Sequence, residues 1–202
     1  MKTCYIVGAG EFYGTLSPDP TDFVIAADGG YDTLLSLGVR CDLLVGDMDS
    51  RTANAPCAPT VLYPVEKDET DMHLAYLEGV KRGYKNFVLH GGVGGREDHT
   101  FANYSLLLYA KLHGHTMSLI SRGAEVFVIK DEEISLKGRV GDTVSVFAFG
   151  GEASGVCIKG AKYEVDEVTL TPYFALGVSN EFKKERLTLS VRNGALLVMR
   201  KL

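Results

Sequence analysis

The 202-residue chain contains no tryptophan, so no indole is available to stack on a ligand. Its four cysteines, Cys4, Cys41, Cys57 and Cys157, show no C-x-x-C spacing. That argues against a zinc knuckle or a disulfide framework and leaves reduced, mostly buried thiols as the expectation. No apolar stretch approaches membrane-spanning length, and no basic leader precedes Cys4-Tyr5-Ile6-Val7. A cytoplasmic protein with no membrane partner is therefore expected. The sequence also lacks internal repeats, low-complexity tracts and long linkers.

Hydrophobic residues make up 46% and charged residues 23%, a composition that folds throughout. The length suits one large domain or a medium domain with a smaller second one. Net charge is −5, and all of the excess acid lies in front: residues 1–122 carry 10 Lys plus Arg against 15 Asp plus Glu, residues 123–202 carry 11 against 11. An acidic half argues against nucleic acid as a partner and fits a site that loads a divalent cation before an anionic substrate. A solvated acidic surface is the simpler alternative.

Two periodicities divide the chain at about Arg122. In front of it, short apolar runs alternate with helical patterns, which predicts repeated βα units with a parallel sheet, a Rossmann-like α/β domain over residues 1–122. Strands are predicted at Tyr5–Val7, Phe23–Ala27, Leu43–Val45, Val61–Tyr63, Phe87–Leu89 and Met117–Ile120. Helices are predicted at Tyr31–Leu37, Asp71–Lys81 and His99–Leu112, with stops near Gly38, Gly83 and Gly114. Residues 123–202 instead alternate apolar and polar positions between glycines, which predicts a small all-β sandwich. Its strands include Glu125–Ile129, Thr143–Phe147, Leu187–Val191 and Ala195–Arg200, the last two joined by an Asn193-Gly194 hairpin signal.

In an open parallel sheet, ligands bind beyond the carboxyl ends of the strands. Four such ends carry unusual loops: Gly8-Ala9-Gly10, Asp28-Gly29-Gly30, Gly46-Asp47-Met48-Asp49-Ser50 and the run from Gly91 through Gly94, Gly95 and Arg96 to His99. Glycines let backbone N–H groups approach phosphate oxygens, and carboxylates suit magnesium, a hard cation that prefers oxygen. Asp47 and Asp49 are spaced so that an extended segment puts both carboxylates on one side, within reach of one metal. Alternatively, Asp49 or Ser50 caps a turn.

Lys67-Asp68-Glu69-Thr70-Asp71 opens the second long helix. Asp68 and Asp71 serve either as an N-cap and a first-turn acid or as part of a phosphate site, with Lys67 as a point charge and Asp71 as a further metal ligand. Arg96 is a natural phosphate clamp delivered at the start of the third helix, where Asp98 is either functional or only a cap. Asn103 lies further along the same helix. His73, His90, His113 and His115 have no zinc-like partner set, and structural roles are expected for them.

Read in order, A-D-G-G at 27–30, G-D-M-D-S at 46–50, K-D-E-T-D at 67–71 and G-G-R-E-D-H at 94–99 resemble the thiamine pyrophosphokinase family. The resemblance continues with Ser154-Gly155-Val156 through Lys162-Tyr163 and with Leu176 to Glu181, and covers nearly the whole chain. It implies transfer of a diphosphate from ATP to the hydroxyethyl oxygen of thiamine, giving AMP and thiamine diphosphate, with magnesium required. Asp47, Asp49, Asp71, Arg96 and Asp98 would be the catalytic residues, the first three of them organising the magnesium. Asp28, Gly29, Gly30, Lys67, Asp68, Gly94, Gly95, Arg96, Asp98, His99 and Asn103 would position ATP. The resemblance further implies a homodimer with the active site at the subunit interface, where Ser179 and Asn180 hydrogen-bond the aminopyrimidine. Some members of the family stack an indole where this chain has Tyr163, so Tyr163 would stack instead.

Two other enzymes are weighed on the same residues. Gly8-Ala9-Gly10 followed by Asp28 is similar to a dinucleotide fingerprint, but the third glycine is Gly14, one position late. A pyrophosphokinase acting on a pterin would share the ATP half, and Ser179-Asn180 favours thiamine over it. A nucleotide-binding sensor without turnover is a third reading.

Overall fold

A computed structural model describes residues 2–47, 58–64 and 66–202. The chain divides into two compact units, Met1–Gly123 and Ala124–Leu202.

The first unit is α/β. Its elements are β1 (Cys4–Val7), β2 (Phe23–Ala27), α1 (Gly30–Leu37), β3 (Leu43–Gly46), β4 (Thr60–Leu62), α2 (Asp71–Lys81), β5 (Asn86–His90), α3 (Glu97–Leu112) and β6 (Thr116–Ser121). The strands run parallel in the order β6-β5-β1-β2-β3-β4. Central strands covered on both faces need apolar residues nearly throughout, and β2 and β3 read Phe-Val-Ile-Ala-Ala and Leu-Leu-Val-Gly. On one face Tyr31 and Leu34 of α1 pack with Val7, Val24, Ala26 and Leu44. On the other, α2 lies over the strands, with Gly79 seated close to Phe87 and Cys4. Each fully buried large side chain here, Leu34, Tyr76 or Phe87, contributes roughly 1.5–3 kcal/mol of burial.

All three helices end the same way. Gly38, Gly83 and Gly114 take left-handed φ values of 64°, 84° and 76°. The following amides, of Val39, Tyr84 and His115, bond back to the carbonyls of Leu34, Gly79 and Ala110 at 3.0, 3.2 and 3.0 Å. This closure satisfies carbonyls that would otherwise lack partners, and a Cβ would strain it. The helix starts correct two expectations. Thr70, not Asp68, caps α2, its hydroxyl accepting from the His73 amide at 3.3 Å. α3 begins at Glu97 rather than His99, with Arg96 at its N-cap and Asp98 inside the first turn.

The second unit is all-β: β7 (Ala124–Lys130), β8 (Glu133–Lys137), β9 (Thr143–Ala148), β10 (Ala153–Lys159), β11 (Val165–Leu170), β12 (Asn180–Glu181), β13 (Arg186–Ser190) and β14 (Ala195–Lys201). Strands in the order β12-β9-β14-β7 form one layer and β11-β10-β13-β8 the other. Their inward residues, among them Val146, Leu196 and Val198 from the first layer and Val156, Leu187 and Leu189 from the second, make one core.

The Asn193-Gly194 signal does not make a hairpin. β13 pairs with β8 and β10, whereas β14 pairs with β7 and β9, so the chain changes layers between them. The Asn193 amide donates to the Ser154 carbonyl at 3.1 Å and the Gly194 amide to an Asp131 carboxylate oxygen at 2.8 Å. Those partners come from other strands' ends and fix the crossing, a non-local choice that turn chemistry does not encode. Among the described residues no helix is long and apolar enough to cross a membrane.

Candidate active site

The carboxyl ends of β1, β2 and β5 surround a cavity of about 310 Å³ in the first unit. Its floor is built by two loops lying backbone to backbone. The amides of Gly8, Gly10 and Glu11 donate to the carbonyls of His90, Gly91 and Val93 at 2.8–2.9 Å. A Cβ on Gly8 would stand 2.7 Å from the Gly91 carbonyl oxygen, and one on Gly10 would stand 2.4 Å from that of Val93. The glycines of the first loop are thus explained by close approach to the β5 loop, and their amides are bonded within the protein instead of pointing at a phosphate.

His90 holds the same junction from beneath. It is buried, its Nδ1 lies 3.1 Å from the Tyr13 carbonyl, and its ring stacks on Phe12 with centroids 5.0 Å apart. Burial pushes its pKa down, which favours the neutral ring. Three further histidines pack against tyrosines: His115 lies 2.7 Å from the Tyr76 hydroxyl, and His73 and His113 both pack on Tyr109.

Asp28 lines the cavity at the end of β2. It is buried and takes φ 47°, a left-handed conformation uncommon for residues other than glycine and best tolerated by Asp and Asn. Its amide donates to the Val45 carbonyl at 2.8 Å. Behind it, Gly29 caps α1 and Gly30 lies beneath β1, where an added Cβ would meet the Val7 carbonyl oxygen at 1.9 Å.

Arg96 at the N-cap of α3 and His99, Thr100 and Asn103 within it reach the cavity. Their spacing, i, i+3, i+4 and i+7, is one helical face. Thr100 belongs to this face although the sequence reading passed over it; that spacing would have found it. Met72, likewise overlooked, lines the cavity beside Asp71. Asn103 is buried and donates from Nδ2 to the Gly92 carbonyl at 2.8 Å, so it holds the glycine-rich loop against the helix. Gly95 lines the cavity, and Gly94 takes φ 78° with the Glu11 side chain where a Cβ would be. Arg96 forks onto Asp98 through Nε at 3.1 Å and Nη2 at 2.6 Å. That bonding raises the Arg96 pKa and lowers that of Asp98.

Lys67 joins the acidic side. Its Nζ is 2.7 Å from an Asp71 oxygen and 3.9 Å from an Asp47 oxygen, and only 12% of its side chain is exposed. Two carboxylates therefore converge on one cation position. Asp68 is exposed nearby. Asp49 and Ser50 lie outside the described residues. Among the described residues, no group of three or more His, Cys, Asp or Glu is placed to hold a metal ion.

Tyr163, Ser179 and Asn180 form a separate group in the second unit. Tyr163 lies in the bend between β10 and β11 and is 62% exposed. Ser179 takes φ 57° and its amide donates to the Ser145 hydroxyl at 3.0 Å. Asn180 is buried and bonded to the Tyr163 backbone.

A parallel sheet whose carboxyl-end loops enclose carboxylates, an arginine and close-packed glycines defines an open α/β protein with its ligand cavity at the sheet edge, here with an appended β-sandwich. The comparisons with known proteins narrow that class. The thiamin pyrophosphokinase catalytic domain matches residues 18–119, and the thiamin pyrophosphokinase vitamin B1 binding domain matches residues 128–196. The chain is 29% identical to a thiamine pyrophosphokinase of Bacillus subtilis over 213 residues, covering 99% of each. The crystal structure of thiamine pyrophosphokinase from Bacillus subtilis superposes with a TM-score of 0.89 at 26% identity, over 99% of both chains. That of thiamin pyrophosphokinase from Geobacillus thermodenitrificans gives 0.85 at 26% identity, over 99% of this chain and 97% of the other. The chain belongs to the thiamin pyrophosphokinase family.

Proposed function

We propose that this enzyme transfers a diphosphate from ATP to the hydroxyl of thiamine. The new bond joins the hydroxyethyl oxygen to the β-phosphorus of ATP. The bond from that phosphorus to the oxygen bridging the α-phosphorus breaks, AMP leaves with that oxygen, and the hydroxyl proton passes to a base or to solvent. The observation that carries this reading is the match of both family domains, in order, to the two units.

The first unit, residues 1–122 in the sequence division, takes ATP, and the second, residues 123–202, takes thiamine. Asp28, Gly29, Gly30, Lys67, Asp68, Gly94, Gly95, His99 and Asn103 serve the nucleotide, either by contact or by shaping the loops that meet it. Arg96 and Asp98 flank the phosphates. Tyr163, Ser179 and Asn180 serve thiamine. Magnesium is the proposed metal, held by Asp47 and Asp71 with Asp49. The convergence of Asp47 and Asp71 on the Lys67 ammonium supports a cation position there, and their oxygen donors suit a hard ion. When bound, such an ion neutralises phosphate charge as the leaving group separates. The protein's own part is alignment and electrostatic stabilisation. A homodimer completing the site across its interface and a cytoplasmic location belong to the same proposal.

The test is to incubate purified protein with ATP, magnesium and thiamine and to separate the products by chromatography. AMP and thiamine diphosphate are expected in equal amounts. Absence of AMP refutes the reading, and AMP formed only with a hydroxymethyl pterin moves the assignment to that acceptor.

A further inference from the structure

Asn180 is only 4% exposed, and its side chain is bonded to backbone. Its Nδ2 donates to the Tyr163 carbonyl at 2.8 Å. Its Oδ1 accepts from the Tyr163 amide at 3.0 Å and from the Glu181 amide at 2.9 Å. Two bonds to the N–H and C=O of one residue are what a neighbouring strand would supply. Tyr163 lies in the bend between β10 and β11, so the Asn180 amide stands in for a ladder the bend lacks.

The surroundings reinforce this clamp. The Lys162 amide donates to the Glu181 carbonyl at 2.9 Å, and Ala161 bridges to Phe182. The Lys162 ammonium lies 3.3 Å from the Glu181 carboxylate and 5.6 Å from the centre of the Tyr163 ring. The backbone of Tyr163 is thus fixed while the residue as a whole stands 62% exposed. An exposed aromatic ring on a fixed backbone is a stacking platform for a planar ligand, because little ordering entropy remains to be lost on binding.

We infer that Asn180 is a positioning residue that acts on the acceptor substrate through Tyr163, a statement that rests on the reading that this unit takes thiamine. Both lone-pair directions of Oδ1 are occupied by backbone amides, so Asn180 has no acceptor left for the amino group of an aminopyrimidine. Recognition of that group falls to other residues. What Asn180 supplies is the place and orientation of the Tyr163 ring.

Four variants, Asn180→Ala, Asn180→Asp, Tyr163→Ala and the double variant Tyr163→Ala/Asn180→Ala, test this. In Asn180→Ala, amide hydrogen exchange at Tyr163 accelerates, KM for thiamine rises about tenfold, as expected for loss of several backbone hydrogen bonds, and KM for ATP is unchanged. In the Tyr163→Ala background, Asn180→Ala adds less than about twofold, because the ring it orients is gone. Asn180→Asp keeps both acceptor bonds and loses the donor, so its KM for thiamine falls between wild type and Asn180→Ala; it carries the test if the alanine variant does not fold. Unchanged exchange at Tyr163, or a full tenfold effect of Asn180→Ala without the Tyr163 ring, overturns the inference. A wild-type protein that makes no AMP with thiamine refutes the functional reading, and the exchange measurement still judges the clamp.

Discussion

The Lys67 ammonium lies 2.7 Å from the carboxylate of Asp71, four residues on in sequence, and 3.9 Å from that of Asp47. A lysine so placed balances two acids that a divalent cation would otherwise attract. Lys67→Gln leaves the acids without their counter-charge. Affinity for manganese, measured by electron paramagnetic resonance without nucleotide, is expected to rise about three- to tenfold. On the proposed reading, in which Lys67 serves the nucleotide, turnover with ATP is expected to fall about a hundredfold in kcat/KM through loss of that fixed cation. Unchanged manganese binding would show that Lys67 and the metal do not share this position.

Glu78, on the buried side of α2, makes a separable prediction about pH. Burial alone would raise its pKa, but hydrogen bonds from Lys81, Arg82 and Tyr63 outweigh it and hold the carboxyl at about 2. The folded value lies below the ordinary one of 4.5, so the stabilisation is fully present above about pH 4.5 and is lost as pH falls through 2. The wild-type protein is expected to lose about 2–3 kcal/mol of unfolding free energy over that window through this group. Glu78→Gln should be less stable at pH 7 and show a flatter decline in urea titrations from pH 5 to 2. Parallel curves for the two proteins would remove Glu78 from the account.

Gly30 and Gly38 bracket α1 and separate two reasons for glycine. A Cβ at residue 30 would meet the Val7 carbonyl oxygen at 1.9 Å, a backbone atom that cannot rotate away. At residue 38 there is open space but φ is +64°. Gly30→Ala is therefore expected to cost about 3 kcal/mol or more by displacing β1 against α1, and Gly38→Ala about 1–2 kcal/mol through left-handed strain alone. Urea midpoints test the order. Gly30→Ala should also lose ATP binding, because β1 and β2 carry the loops of the cavity; a reversed order would refute the close-approach argument.

Much of this architecture was legible because its causes are local. The apolar runs of β2 and β3, and the glycines that end α1, α2 and α3, act within a few residues of themselves. Arg96, His99 and Asn103 were named from the sequence and line one cavity, whereas Thr100, on the same helical face, was missed although its spacing places it there. What escaped was non-local. Gly8 and Gly10 looked like phosphate-binding glycines, but the loop some eighty residues later determines their use. Asn193-Gly194 has hairpin chemistry, yet pairing with β7 and β9 takes the following strand into the other layer. The bonds of Asn180 to the backbone of Tyr163, seventeen residues earlier, are likewise set by the fold and not by local sequence.

If Arg96 flanks the phosphates as proposed, its variants test whether charge or shape matters there. Its guanidinium forks onto Asp98 through two nitrogens, with the side chains 72% and 64% exposed. So exposed a pair contributes little to folding, and Arg96→Lys should leave the urea midpoint unchanged. Lysine keeps the charge but presents no planar fork, so it cannot bond two phosphate oxygens while oriented by Asp98. A fall of about tenfold to a hundredfold in kcat/KM for ATP is expected, with KM for thiamine unaffected. Asp98→Ala should reproduce part of that loss by releasing the arginine from its fixed orientation. If Arg96→Lys retains full activity, a point charge is sufficient and the two-nitrogen geometry has no catalytic consequence. If Asp98→Ala is more damaging than Arg96→Lys, the carboxylate acts on the substrate directly, and Arg96 is the residue that positions it.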